Sequence, residues 1–208
     1  IPNAEITYDI MTPIVTLPHQ NTMDFTACKD GKEIGRARVM SIGGGSIEFE
    51  GEHDKESEDI YPQKNFTEML DYCEAMGLRL QDFVYMIEED DIKPYLRKVW
   101  HAMTDCIERG LKEEGILPGG LGIDRKAKVL FETVSYNESS DITMDRLISA
   151  FAYATSEENA SEGKVVTAPT CGSCGVIPSI LYYMQFYKGF TEDEIIDALA
   201  VAGLIGNV

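Results

Sequence analysis

The chain has 208 residues, 44% hydrophobic and 26% charged, enough apolar material for one large or two small cores and too much for a disordered polymer. Its 18 Lys+Arg against 36 Asp+Glu give a formal net charge of −18, a field that repels phosphate backbones and anionic lipid. No nucleic-acid partner and no membrane partner is therefore expected.

No run reaches the roughly 20 apolar residues of a membrane-spanning helix, and Ile1-Pro-Asn-Ala-Glu5 lacks the basic and apolar regions of a signal peptide. Cys28, Cys73, Cys106, Cys171 and Cys174 are an odd number of scattered thiols, the pattern of a cytoplasmic protein that keeps them reduced. The chain starts without Met and stops at Gly203-Leu-Ile-Gly-Asn-Val208 in a helix-like stretch, so a portion of a longer protein is expected.

In chain order, Phe25-Thr-Ala-Cys28 and residues 34–42 read as strands around Lys29-Asp-Gly-Lys-Glu33, whose Asp30-Gly31 is a strong hairpin signal. Gly43-Gly-Gly45 breaks the second strand and Ile47-Glu-Phe49 resumes it. The acidic, aperiodic run from Glu50 to Asp59 reads as a linker and places a domain boundary between residues 56 and 57. Beyond residue 60 the apolar period becomes helical. Phe66, Met69, Leu70, Cys73 and Met76 share a face, with Asn65 and Glu68 as a capping box and Gly77 as the stop. A longer helix is predicted from about Ile92 to Glu113, with Leu96, Val99, Met103, Cys106, Ile107 and Leu111 on one side. Another spans roughly Asp141 to Ala154. The last begins after Thr191 as N-cap, with Glu194 at its third position and Phe190 stapling onto Ile195. The fold class is α+β, a strand-rich remnant (1–56) followed by an all-helical body (57–208).

Thr167-Ala-Pro-Thr-Cys-Gly-Ser-Cys-Gly-Val-Ile-Pro178 carries the most chemistry. Its small residues let the backbone turn sharply, and the apolar segment after it starts a helix in which Pro178 fits only near the first turn. A glycine-rich loop entering a helix offers unpaired N–H groups at the positive end of the dipole, suited to a carboxylate or phosphate. Thr167, Thr170 and Ser173 could add hydroxyl donors, although an ordinary buried helix entry fits the residues equally well. Cys171-Gly-Ser-Cys174 is a CxxC. A redox pair wants a βαβ setting and a metal site wants a second pair, neither of which the spacing supplies, so partly buried thiols lining a pocket are favoured.

Together these runs resemble the iron–sulfur-dependent L-serine dehydratases. The likeness rests on Gly163-Lys-Val-Val-Thr-Ala-Pro-Thr170 with its Gly-x-x-Gly and Val-Ile-Pro, preceded by Glu157-Glu-Asn-Ala160. It extends to Leu117-Pro-Gly-Gly-Leu121 with Arg125-Lys126, to Ser41-Ile-Gly-Gly-Gly45, and to His19-Gln-Asn21. These occur in the family's order over nearly the whole chain, in its single-chain form. Gln20 stands where that family has Pro, and the Cys171/Cys174 positions are Asn, Ala, Ser or Cys in it.

The resemblance implies the C-terminal part of a small, regulatory-like α/β domain followed by the N-terminal part of a helical catalytic domain. It implies a lyase that converts L-serine to pyruvate and ammonia in amino-acid catabolism. A [4Fe–4S] cluster would act as Lewis acid, with no pyridoxal phosphate and with cluster cysteines C-terminal to Val208, so no metal ligand is expected in this chain. His19 and Asn21 would act catalytically, His19 as an acid/base or orienting group. Thr167, Thr170, Gly172, Ser173, Gly175, Ser41, Gly43 and Gly44 would bind substrate. Glu157, Glu158 and Asn159 could bind the substrate ammonium or cap a helix end. Arg125 and Lys126 could meet a carboxylate, with a salt bridge to a neighbouring acid the favoured fate. A small amino-acid substrate and a homodimer are the expected partners. The alternatives are an L-cysteine desulfidase of the related cluster-dependent family, or a non-catalytic fragment or partner subunit that lacks the cluster ligands.

Overall fold

The computed structural model describes residues 17–43, 46–51, 60–88, 90–133 and 137–206. The chain divides into two units, residues 1–57 and 58–208.

In the first unit, β1 (Thr22–Lys29), β2 (Lys32–Gly43) and β3 (Ser46–Phe49) form an antiparallel sheet in the order β1-β2-β3. Asp30 and Gly31 both take positive φ, +52° and +74°, between the paired residues Lys29 and Lys32. That is the two-residue turn whose twist matches the flanking strands, and it explains why Asp-Gly sits there. Cross-strand partners share a face. Met23 pairs with Val39, Phe25 with Ala37, and Val39 with Phe49, so one face is apolar. Asp24 pairs with Arg38 on the other. There the Arg38 guanidinium donates to both Asp24 oxygens, at 2.6 and 2.9 Å, and holds that carboxyl below the usual carboxylate range.

The second unit is helical: α1 (Phe66–Met76), α2 (Leu80–Ile87), α3 (Ile92–Gly110), α4 (Ala127–Glu132), α5 (Ser140–Ala160), α6 (Val176–Lys188) and α7 (Glu192–Gly206). α1 starts and stops where the sequence places it. The Glu68 N–H donates to Asn65 Oδ1 at 3.0 Å, and Gly77 closes the helix in the left-handed conformation. Glu68 itself reaches the N–H of Lys64 at 3.0 Å, one residue before the N-cap, so the box is displaced by a residue. At α7, Thr191 and Glu194 exchange the capping-box bonds as expected. α5 departs from expectation by running to Ala160, because Thr155, Glu157 and Glu158 in its last turns point inward.

Three apolar clusters hold these helices. Met69, Cys73, Phe83 and Val84 of α1 and α2 meet Ala200 and Leu204 of α7. Ile107, Ala127, Leu147, Phe151, Ala154 and Tyr183 join α3, α4, α5 and α6. Trp100 and Met103 of α3 meet Ile195, Ile196 and Leu199 of α7, and Val166 and Ala168 of the loop before α6 pack against that cluster. The loop with the sequence signal is therefore fixed to the core at its first half. Among the described residues no helix is long and apolar enough to cross a membrane.

Candidate active site

The site in the helical unit begins where α3 and α5 touch. Gly110 and Ala154 are both fully or nearly buried, and a Cβ on Gly110 would lie 2.7 and 2.8 Å from the Ala154 main-chain carbon and Cα, with the carbonyl oxygen closer still. This approach brings Arg109 to the end of α5. Its Nε donates to Glu158 Oε2 at 2.9 Å and its Nη2 donates to the Lys164 carbonyl at 2.9 Å. One guanidinium thus holds both the last turn of α5 and the segment that leads into the loop. Gly163 lets that segment pass over Glu158: its N–H donates to the Glu158 carbonyl at 2.8 Å, and a Cβ would meet the carboxylate at 2.7 Å.

Glu157 is 3% exposed, and its Oε1 accepts the main-chain N–H groups of Lys126 (2.6 Å) and Ala127 (3.2 Å). A carboxylate from thirty residues away therefore supplies the anionic cap of α4. Of the two roles open to Glu157 in the sequence, helix capping is the one observed. Among the described residues its buried Oε2 has no hydrogen-bond partner, and neither has the buried Nη1 of Arg125. Arg125 Nη2 donates to Ser161 Oγ at 2.6 Å, and among the described residues Arg125 makes no salt bridge. Lys126 lies over the Tyr153 ring at 5.6 Å. Among the described residues, a hydroxyl and a ring thus stand where salt bridges were expected for the two. The chain is delivered here by a tight excursion, where Leu117 N–H donates to Ile123 O and Arg125 N–H to Gly115 O.

The loop itself is built on its own hydroxyls. Thr170 Oγ1 and Ser173 Oγ lie 3.1 Å apart. The Thr170 N–H donates to Ser173 Oγ (3.2 Å), the Ser173 N–H to Thr170 Oγ1 (3.3 Å), and Ser173 Oγ to the Ala168 carbonyl (2.9 Å). The Ala168–Pro169 peptide is cis. Thr170, Cys171 and Gly172 are exposed, Thr167 and Ser173 half-buried, Cys174 and Gly175 buried. Gly175 has a packing duty that its sequence context hides: a Cβ would lie 2.6 Å from the Ala152 carbonyl oxygen and 3.2 Å from Ser156 Oγ of α5. α6 follows at once, with Pro178 in its first turn.

In the sheet unit, His19, Asn21 and Ser41 also come together. The Asn21 N–H donates to His19 Nδ1 at 3.1 Å, Thr22 Oγ1 donates to the His19 carbonyl at 2.6 Å, and the Ser41 N–H donates to the Asn21 carbonyl at 3.0 Å. His19 therefore keeps Nδ1 as acceptor, which leaves Nε2 as the atom that can carry or release a proton. Gly43 takes φ +104° beside an irregularity in the β2–β3 register. Gly44 lies outside the described residues.

Among the described residues no three His, Cys, Asp or Glu side chains gather in a way that could hold a metal ion. Cys73, Cys106 and Cys174 are buried, and Cys28 and Cys171 exposed. Burial pushes the Cys106 thiol up to about 11, with the Glu158 charge adding to the shift.

A small antiparallel sheet, a helical body and a Thr/Ser-clasped glycine loop at a helix start define an α+β protein. The family model "Serine dehydratase alpha chain" matches residues 20–208, and the chain belongs to that family. It is 38% identical over 204 residues to an L-serine dehydratase of Haemophilus influenzae, covering 91% of this chain and 45% of the relative. It is 35% identical to L-serine dehydratase 1 of Escherichia coli over 90% of this chain and 44% of the relative. With an L-serine dehydratase of Mycobacterium tuberculosis it shares 31% identity over its whole length and 49% of the relative. The chain spans about half the length of these curated relatives.

Proposed function

We propose that the chain serves an L-serine dehydratase, a lyase that removes the Cα proton and the hydroxyl of L-serine and releases pyruvate and ammonia. What carries this reading is the match to proteins named L-serine dehydratase across residues 20–208, a span that includes the clasped loop and its Arg109–Glu158 support. Thr167, Thr170, Gly172, Ser173 and Gly175 make up the loop proposed to face substrate, Gly175 by seating its inner end against α5. In the sheet unit, the Asn21 main-chain N–H holds His19 at Nδ1, and Ser41, Gly43 and Gly44 are the residues proposed to bind substrate there. His19, with Nδ1 occupied as acceptor, would offer its proton at Nε2.

A [4Fe–4S] cluster is the cofactor proposed for the enzyme. The described residues do not fit it as a complete holder, because their thiols are dispersed over β1, α1, α3 and the loop and no three converge. No step is therefore assigned to the cluster. A cytoplasmic setting and a homodimer complete the proposal.

The test is pyruvate formation by the intact, anaerobically prepared protein from L-serine and from L-cysteine. Faster turnover of serine is expected, together with the visible absorption of thiolate-bound iron. Much faster turnover of cysteine would make the protein a desulfidase. Inactivity on both with no iron absorption would leave a non-catalytic partner.

A further inference from the structure

We propose that Cys171 and Cys174 are a reversible dithiol–disulfide pair, with Cys171 as the attacking thiol and Cys174 as the resolving one. The spacing alone does not carry this, since a CxxC in a helical setting has other uses. Three structural observations do. First, the two residues are the ends of one turn, in which the Cys174 N–H donates to the Cys171 carbonyl at 3.4 Å. An i to i+3 turn brings the end Cα atoms within about 7 Å, the range that a disulfide spans. Second, their accessibility is opposite: Cys171 is exposed, while Cys174 is fully buried at the entry to α6. An oxidant in solution reaches Cys171 and does not reach Cys174. Third, the residue after Cys171 is a glycine with no side chain to stand over the turn, and even a Cβ there would meet nothing nearer than Thr170 Oγ1 at 3.8 Å.

The chemistry balances with a small-molecule disulfide as oxidant. The Cys171 thiolate attacks one sulfur of that disulfide, forms a mixed disulfide and expels the first thiolate. Cys174 then gives up its proton, its sulfur attacks Cys171 Sγ, and the second small thiolate leaves. Two protein thiols are oxidised and one small disulfide is reduced to two thiols. Burial and the neighbouring Cys171 charge both raise the Cys174 pKa, which suits a sulfur that reacts only once its partner is already activated. Closing the bond would lock the ends of the turn that contains Ser173. Resting on the serine dehydratase reading, the redox state of this pair then sets the geometry of the substrate-facing loop.

The experiment uses the intact protein in buffers of graded reduced-to-oxidised glutathione ratio, followed by alkylation and peptide mass spectrometry. This readout is independent of serine turnover, so failure of the disulfide and failure of the enzymatic reading are distinguishable. In the wild type, a Cys171–Cys174 disulfide should form under oxidising ratios and disappear under reducing ones, while Cys73 and Cys106 stay unlabelled. Cys174→Ser should accumulate glutathione on Cys171, a species absent from the wild type for want of time to build up. Cys171→Ser should leave Cys174 neither glutathionylated nor cross-linked. Absence of the 171–174 link at every ratio would overturn the proposal. So would equal glutathione on Cys171 in the wild type and in Cys174→Ser, or oxidation of Cys174 in Cys171→Ser with Cys73 and Cys106 still protected.

Discussion

Gly110→Ala sets local propensity directly against packing. Alanine in place of glycine within a helix gains up to about 1 kcal/mol of intrinsic propensity. In this structure the new methyl would meet main-chain atoms of Ala154 at 2.7 and 2.8 Å, with the carbonyl oxygen nearer still. Real Cβ contacts need well over 3 Å, so α3 and α5 must separate by several tenths of an ångström at least. The separation loosens the packing of Ile107 on Phe151 and Ala154, all of them fully buried. Overpacking of this kind costs about 1–3 kcal/mol, and the upper end applies because the obstacle is backbone and not a side chain that can turn away. The net expectation is a loss of about 2 kcal/mol, read in a thermal melt as a fall of about 4–8 °C for a body of this size. Ala154→Gly should not rescue the variant, since the clash is with the main chain that glycine keeps. A melting point at or above wild type would refute the argument, as would recovery of stability in the double variant.

Three further outcomes follow from the same geometry. Glu157→Ala removes the acceptor of two main-chain N–H groups at the start of α4, and should lower stability by about 3 kcal/mol in urea titration, with Glu157→Gln losing less. Arg146 donates to both oxygens of Glu138 and holds that carboxyl below its ordinary value. Its stabilisation is therefore present above the unfolded carboxylate pKa, about 4.3, and is lost as pH falls through the folded value. Arg146→Met should melt below wild type at neutral pH, and the gap should close on acidification; a gap constant into acid would show the pair inert. Gly31→Ala places a methyl on a residue at φ +74°, and should weaken hydrogen-exchange protection across β1 and β2 by about 1 kcal/mol.

The signals that survived from sequence to structure are local ones. Asp30-Gly31, Asn65 with Glu68 and Gly77, and Thr191 with Glu194 each place both partners within a few residues, so a linear reading finds them. α2 and α4 escaped it. α2 is capped by Arg79 and Asp82 without a Ser, Thr or Asn at its start, and α4 has six residues and takes its cap from Glu157 in another helix. α5 reads short because Thr155, Glu157 and Glu158 look like surface residues until their partners Phe151, Lys126 and Arg109 are in view. Gly175 shows the same limit within the site. Its sequence neighbours suggest a ligand-facing glycine, whereas the residue that requires a glycine there is Ala152, on a helix it does not adjoin in sequence. The gathering of Thr170 with Ser173, and of His19 with Asn21 and Ser41, follows runs that the sequence already singles out.

The Thr170–Ser173 clasp has a consequence in proton accounting. A carbonyl oxygen can only accept, so the 2.9 Å contact to Ala168 takes the single hydroxyl proton of Ser173. In the 3.1 Å contact between the hydroxyls the donor must then be Thr170, and its proton is occupied too. Ser173 Oγ receives both that proton and the Thr170 N–H, which fills its two lone pairs. Thr170 Oγ1 accepts the Ser173 N–H on one lone pair and keeps the other. The pair thus has one acceptor position left, on Thr170 Oγ1, and no hydroxyl proton to spare, so an ammonium would find an acceptor there where a carboxylate would first have to break the clasp.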